Sequence, residues 1–357
     1  MTRLSAGDAR TATIKSAFGA ENRNRLVALY FHTQSERDAA ASTAWRHVYR
    51  LLLWPDPTTG LAHCYESDKC QPGKPWYSRS LAFHAWLSAA LETSPGMLAE
   101  QIDWLFLRAA EDLAAEVMRK ASRLGVAAER QMRPYLGGDF PVAGQDRRLV
   151  SILKDALGDH LDGEPPPETW QRAVERVRQY LALENKRKNL VGEGFEDVLA
   201  HIVRRTWPDP AIAIHTRRVL QDLPGFGSTR RGEKPNKVDL AIIRPNKRML
   251  VTAKWSVRAD REKQFSTEYG EYIAAESDGR PFEYVFITNE FDPARLVRAC
   301  EKLAGNAAMF SHVVHINTDA LKAAYGGAHE DSMRTVVRLI DDGRLISLGQ
   351  WLATLGA

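Results

Sequence analysis

Val238-Asp239-Leu240-Ala241-Ile242-Ile243 and Met249-Leu250-Val251-Thr252-Ala253-Lys254-Trp255 are two short apolar runs rich in β-branched residues, parted by Arg244-Pro245-Asn246-Lys247-Arg248. Runs of that length on either side of a Pro/Asn turn predict a β-hairpin. Working outward, the periodicity predicts a helix from about Arg261 to Glu276, a strand at Tyr284–Thr288, a helix from about Pro293 to Leu303 and a strand at His312–Ile316. Upstream, Glu168–Leu183 and Gly192–Thr206 read as two further helices. The order α-β-β-α-β-α-β builds a mixed sheet with helices on both faces, an α/β (α+β) core.

The first half has another character. Trp45, Val48, Tyr49 and Leu52, and again Trp104, Leu107, Ala110, Leu113 and Val117, recur three and four apart, the spacing of helices with one apolar face. The Pro- and Gly-containing stretch from Pro55 to Trp76 interrupts them as a long loop. Gly163-Glu164-Pro165-Pro166-Pro167 can lie in neither a helix interior nor a central strand, so it is the expected linker. Two domains are expected: an α-helical one over residues 1–162 and the α/β one over 168–357.

With 44% apolar and 26% charged residues in 357, the chain has the balance of a folded soluble protein. The formal charge of +4 is weakly basic, and the positive residues concentrate in the second half: Lys186 to Lys188, Arg204-Arg205, Arg217-Arg218, Arg230-Arg231 and Arg244 to Arg248. Such clusters suit a polyanion or a solvated surface equally. Cys64, Cys70 and Cys300 cannot build a disulfide framework. His63, Cys64 and Cys70 lack a fourth partner at zinc-site spacing. With no signal peptide and no long apolar run, a cytoplasmic protein without a membrane segment is expected.

Chemistry gathers at the hairpin. Side chains two apart on a strand share a face, so Thr252 and Lys254 project together. Hairpin pairing brings Asp239 beside Lys254 at the sheet end. Phosphodiester cleavage requires activated water, neutralised charge on the phosphate oxygens and a stabilised leaving oxygen. Hard divalent cations on carboxylates meet these needs, and a lysine can orient the water or oppose the developing charge. A second carboxylate is needed to complete the set.

Asp239 followed by Thr252-Ala253-Lys254, with Glu196 in Gly194-Phe195-Glu196 on the preceding helix, resembles the signature of the PD-(D/E)xK nucleases. Thr252 departs from it, standing where most members carry an acid. The same departure occurs in the type II restriction endonucleases of this superfamily that cut sites with a CCGG or CCNGG core. There a small residue fills the position, and a glutamate fourteen residues after the lysine supplies the carboxylate; here that residue is Glu268. The subgroup also carries an Arg-x-Asp-Arg element, matched by Arg258-Ala259-Asp260-Arg261.

The resemblance implies a Mg²⁺-dependent enzyme in which Asp239 and Glu268 hold the metal and Lys254 assists the water and the phosphate. Thr252 fills the altered position, and Glu196, or Glu193 close by, supports a second metal or its water. It also implies double-stranded DNA as substrate, read by Arg258, Asp260 and Arg261. Arginine forks can donate to guanine O6 and N7, and an aspartate can accept from cytosine. A homodimer on a two-fold symmetric site follows, tetramers being known in the group, as does a DNA methyltransferase acting on the same sequence. The Gly225–Gly232 loop, with Arg230 and Arg231, suits the DNA backbone or a plain connection. His312 and His315 read as structural. The helical half is open to flanking-base readout, dimerisation or effector binding. A superfamily nuclease with another task, or a decayed DNA-binding relative, would keep the fold without all of these residues in register.

Overall fold

The computed structural model describes residues 16–34, 40–54, 70, 72–74, 76–113, 115, 147–158, 163–227, 236–257, 262–327 and 330–356. Its helices are α1 (Ala20–Thr33), α2 (Ala44–Leu52), α3 (Tyr77–Ala90), α4 (Pro95–Gln101), α5 (Arg147–Leu157), α6 (Pro167–Thr206), α7 (Glu262–Ala275), α8 (Pro293–Cys300), α9 (Thr318–Tyr325), α10 (Asp331–Asp341) and α11 (Leu348–Thr354). Among the described residues no helix is long and apolar enough to cross a membrane.

The strands are β1 (Ala213–Val219), β2 (Lys237–Ile243), β3 (Arg248–Lys254), β4 (Glu283–Thr288), a small separate ribbon β5 (Leu303–Ala304) and β6 (Ala307–Ala308), then β7 (His312–His315) and β8 (Leu345–Ser347). One six-stranded sheet runs β1-β2-β3-β4-β7-β8. The first three strands pair antiparallel and the rest parallel, with helices as the crossovers. The mixed sheet flanked by helices that the sequence predicts is the fold observed.

β3 is central, and all of its residues but Lys254 are buried. Strands covered on both faces read as unbroken apolar runs, which is why Met249–Ala253 is apolar or small throughout. Only at its carboxyl end does the strand offer a partly exposed side chain, and there the site forms. Proline at the first turn of α8, behind Asp292 whose carboxylate caps Ala294 N at 3.0 Å, fixes the helix that follows β4.

The structure differs from the sequence reading in four places. The two helices expected on either side of Gly192 are one, α6, because neither glycine there is a φ > 0 stop and no proline intervenes. β1 is added at the sheet edge. α9 to α11 and β8 complete the carboxyl-terminal part. The chain divides into two compact units, Arg23–Leu107 with Val191–Ala357, and Met1–Asn22 with Arg108–Leu190. This division falls within α6, at Leu190–Val191, rather than at Gly163–Pro167.

The reason lies in the packing of residues 23–107 against the sheet. Tyr49 on α2 donates to Asn289 Oδ1 at 3.0 Å, just past β4, and Phe83 on α3 meets Phe291 edge-on at 4.8 Å. Val48, Leu51, Phe83 and Leu87 are fully buried in this interface. In the other unit Trp170 and Val174 of α6 are buried, and Lys154 of α5 lies over the Trp170 ring at 5.7 Å.

Candidate active site

The β2–β3 ladder pairs Leu240 with Val251, so one step further Asp239 stands opposite Thr252. Three donors converge on Asp239 Oδ2: Lys254 Nζ at 2.6 Å, the Ala253 backbone N–H at 3.0 Å and the Thr252 hydroxyl at 3.3 Å. None of the three goes to Oδ1. Lys254 and Asp239 are each about a fifth exposed, enough for solvent and substrate to reach them. Burial works to lower the Lys254 pKa, but the charge and hydrogen bond of Asp239, with Glu268 and Glu196 behind it, raise it above the ordinary lysine value.

Glu268 comes from α7. Phe265 and Tyr272 of this helix, three residues before Glu268 and four after it, are buried, so the same stripe turns Glu268 toward the sheet. Tyr284 on β4, itself buried, donates its hydroxyl to Glu268 Oε2 at 3.1 Å, and Gln264 one turn back donates to Oε1 at 2.6 Å. Burial raises the Glu268 pKa, opposed by the Lys254 charge and helped by that of Asp239. Glu268 therefore lies within electrostatic reach of both.

Glu196 sits on α6. It is buried, and burial followed by the Asp239 charge lifts its pKa from 4.5 to about 8, against the pull of Arg217 and Lys254. Glu193 points elsewhere: it is largely exposed and pairs with Arg23 at 2.7 Å. Of the two acids, Glu196 is the one the fold brings to Asp239.

A divalent cation can be tested against this donor set. Asp239 and Glu268 offer hard oxygens whose charges oppose each other. Among the described residues no three His, Cys, Asp or Glu side chains gather as a closed metal cage. Two carboxylates with the remaining positions left to water and a phosphate is the arrangement Mg²⁺ favours, and these residues fit it.

Arg258, Asp260, Arg261, Arg230 and Arg231 lie outside the described residues. Immediately before them, Val257 N donates to the buried Glu290 at 2.7 Å, so the root of the Arg258–Arg261 segment is fixed to the chain after β4. Gly225 and Phe226 prove structural. Gly225 has φ +81, and a Cβ there would strike the Arg248 guanidinium and the Asp278 carboxylate. Arg248 lies over the Phe226 ring at 4.8 Å and pairs with Glu276 at 2.7 Å.

The basic clusters are correspondingly less available to a polyanion than the sequence suggests. Arg248 is buried, Arg204 bonds Ile214 O at 3.0 Å, Arg205 bonds Phe31 O at 2.9 Å, and Arg244 bonds Leu355 O. His315 is buried on β7, its Nδ1 accepting from Asn317 N at 3.1 Å, and burial takes its pKa down to about 3. Cys70 and Cys300 are buried thiols; His63 and Cys64 lie outside the described residues.

Tyr284, Gln264, Arg217 and Arg23 escape sequence reasoning. Their partners are distant in the chain or reached through a helix turn, and no spacing rule connects Tyr284 to Glu268 before the β3–β4 pairing is known.

No protein-family model matches the chain, and no curated protein does. Solved structures similar to it include two restriction endonucleases bound to DNA. One is the restriction endonuclease PspGI in complex with substrate DNA, at 11% identity and TM-score 0.30, covering 78% of this chain and 90% of that one. The other is metal-depleted Ecl18kI in complex with uncleaved, modified DNA, at 12% identity and TM-score 0.32, covering 98% and 83%.

Proposed function

We propose that the chain is a divalent-metal-dependent endonuclease that cuts double-stranded DNA. More narrowly, it is a type II restriction endonuclease of the PD-(D/E)xK superfamily. One observation supports this above the others: Lys254 is bonded to Asp239 at 2.6 Å, and Glu268 on α7 lies within electrostatic reach of both, where it can supply the carboxylate absent at Thr252.

In this reading Asp239 and Glu268 hold Mg²⁺, which when bound polarises the scissile phosphate and makes its water a better nucleophile. Lys254 stands where it can donate to the attacking water or to a phosphate oxygen, its raised pKa keeping it charged. Thr252 fills the vacated acid position and donates to Asp239. Glu196 is the supporting acid. Glu268 lies six residues into the helix that opens at Glu262, directly after Arg258–Arg261. In this reading a correct base contact just ahead of that helix aligns the metal ligand it carries.

Arg258, Asp260 and Arg261 direct cleavage to a CCGG or CCNGG core, cut before the first C to leave 5′-phosphates and 5′ overhangs. The enzyme works as a homodimer, one strand per subunit, in the cytoplasm, beside a methyltransferase that protects the same site. The test is incubation of unmethylated plasmid with the purified protein and Mg²⁺, followed by sequencing of the fragment ends. Discrete fragments sharing one terminal sequence are expected, lost in Lys254→Ala and Glu268→Ala. A native protein that leaves plasmid intact with both Mg²⁺ and Mn²⁺ refutes the assignment, and a smear without common ends refutes site specificity.

A further inference from the structure

Glu193, Glu196 and Asp197 occur at i, i+3 and i+4 on α6 and so lie along one face of it. Two arginines from remote parts of the chain interleave with them. Arg23 on α1 reaches Glu193 at 2.7 Å and Asp197 at 3.0 Å. Arg217 on β1 reaches Asp197 with one nitrogen; with the other it donates to Glu196 Oε2 at 2.8 Å and to Glu193 O at 3.1 Å. The result is a ladder, Glu193–Arg23–Asp197–Arg217–Glu196, whose centre, Asp197, has no exposed side-chain surface. Its last rung, Glu196, is the acid that feels Asp239 and Lys254.

Arg217 is held there by more than its ion pairs. Its backbone φ is 49°, a left-handed conformation uncommon outside glycine and kept only where the surroundings enforce it. Thr216 and Arg218 keep regular pairing with Leu240 and Val238, so the ladder places Arg217 level with Asp239. The strand thus stays in register while its central residue turns the guanidinium toward α6.

We propose that Arg217 is the resident cation of this site: it positions Glu196 and fills the place at that carboxylate which a second divalent ion would need, so each subunit takes one divalent ion. The inference rests on the metal-dependent nuclease reading and deepens it. A guanidinium cannot lose its charge in a protein, and an ion at Glu196 would stand directly against it. Arg217 cannot swing aside without abandoning the buried Asp197, since both acids share its two terminal nitrogens. Among the described residues no arginine pairs with Asp239 or Glu268, and these two remain the pair for the ion that is bound.

The experiment is titration of the full-length protein with Mn²⁺, counted from the electron paramagnetic resonance signal of the free ion, with thermal melting to confirm folding. The native chain is expected to bind one ion, Glu268→Gln to lose it, Glu196→Gln to keep the native count, and Arg217→Met to gain a second ion. Two ions on the native chain, a lower count in Glu196→Gln, or an unchanged count in a folded Arg217→Met each overturn the proposal. If Arg217→Met fails to fold, the native and Glu196→Gln counts decide. A native chain that binds no Mn²⁺ overturns the metal-dependent reading itself, an outcome distinct from binding two.

Discussion

Tyr284→Phe removes one oxygen and leaves the ring, which stacks on Tyr269 at 5.6 Å and meets Tyr272 edge-on at 5.4 Å, where it was. What is lost is the 3.1 Å hydrogen bond to Glu268 Oε2. Hydrogen bonds to charged groups contribute about 1.5–3 kcal/mol, and the half-exposed Glu268 places this one at the low end. Gln264 still holds the other oxygen at 2.6 Å, so the carboxylate is loosened rather than released. Loss of a partner behind a metal ligand weakens metal affinity by about 10–100-fold; with one of two donors kept, about 10-fold is expected, or about 1.4 kcal/mol.

The assay is cleavage rate against Mg²⁺ concentration, paired with Mn²⁺ binding and thermal melting. The half-maximal Mg²⁺ concentration should rise about tenfold. The rate at saturating Mg²⁺ should hold within about threefold, since the ion, once bound, draws Glu268 into place. The melting temperature should move by no more than about 2 °C, because no packing is removed. An unchanged metal midpoint, or a rate loss that saturating Mg²⁺ does not repair, refutes the claim that Tyr284 acts through Glu268.

Lys254→Met should lower the cleavage rate by about 10²-fold or more while Mn²⁺ binds at least as tightly as to the native chain, because an ammonium that competes for Asp239 has gone; weakened Mn²⁺ binding would show the lysine to be structural. The pKa of Glu196, raised from 4.5 to about 8, makes the folded protein hold a proton that the unfolded chain has released, so the stability this group contributes is full below pH 4.5 and is lost as pH rises toward 8. Metal-free protein should therefore lose stability across that window with a slope from this group of up to about 1.4 kcal/mol per pH unit, and Glu196→Gln should flatten it; denaturant titrations at pH 5 and pH 8 that give parallel losses in both proteins contradict the assignment. Gly225→Ala forces a side chain to φ +81 and into the Arg248 guanidinium, and should cost about 1–3 kcal/mol in denaturant unfolding, with no cost if that loop is a loose connection.

The hairpin, and with it the meeting of Asp239 and Lys254, was legible because strand alternation is strict: once Val238–Ile243 and Met249–Trp255 pair, the faces follow. Glu268 was reached only through the resemblance, as the residue fourteen positions after Lys254; the buried Phe265 and Tyr272 that flank it on α7 show in the fold. β1 was not. Ile214-His215-Thr216-Arg217-Arg218 is half polar and lies at the sheet edge, where one side of the ladder is open and apolar alternation is not required. Its arginines read as surface charge, and only the third dimension shows Arg217 turned inward against Asp197. The continuous α6 was hidden by Gly192 and Gly194, which lower helix propensity but, near the sheet, are outweighed by the burial of Val191, Phe195, Val198 and Leu199.

The same geometry accounts for Thr252. Its side chain is buried, with its hydroxyl 3.3 Å from Asp239 Oδ2. A carboxylate at that buried place would stand against Asp239, with Lys254 already committed to the oxygen they would share; like charges so close resist joint ionisation. In the proposed site Glu268 would reach the ion from a partly buried helix position where Tyr284 and Gln264 supply donors to both of its oxygens. An acid on the helix has both of its oxygens hydrogen-bonded by Tyr284 and Gln264, while Asp239 keeps its own three donors.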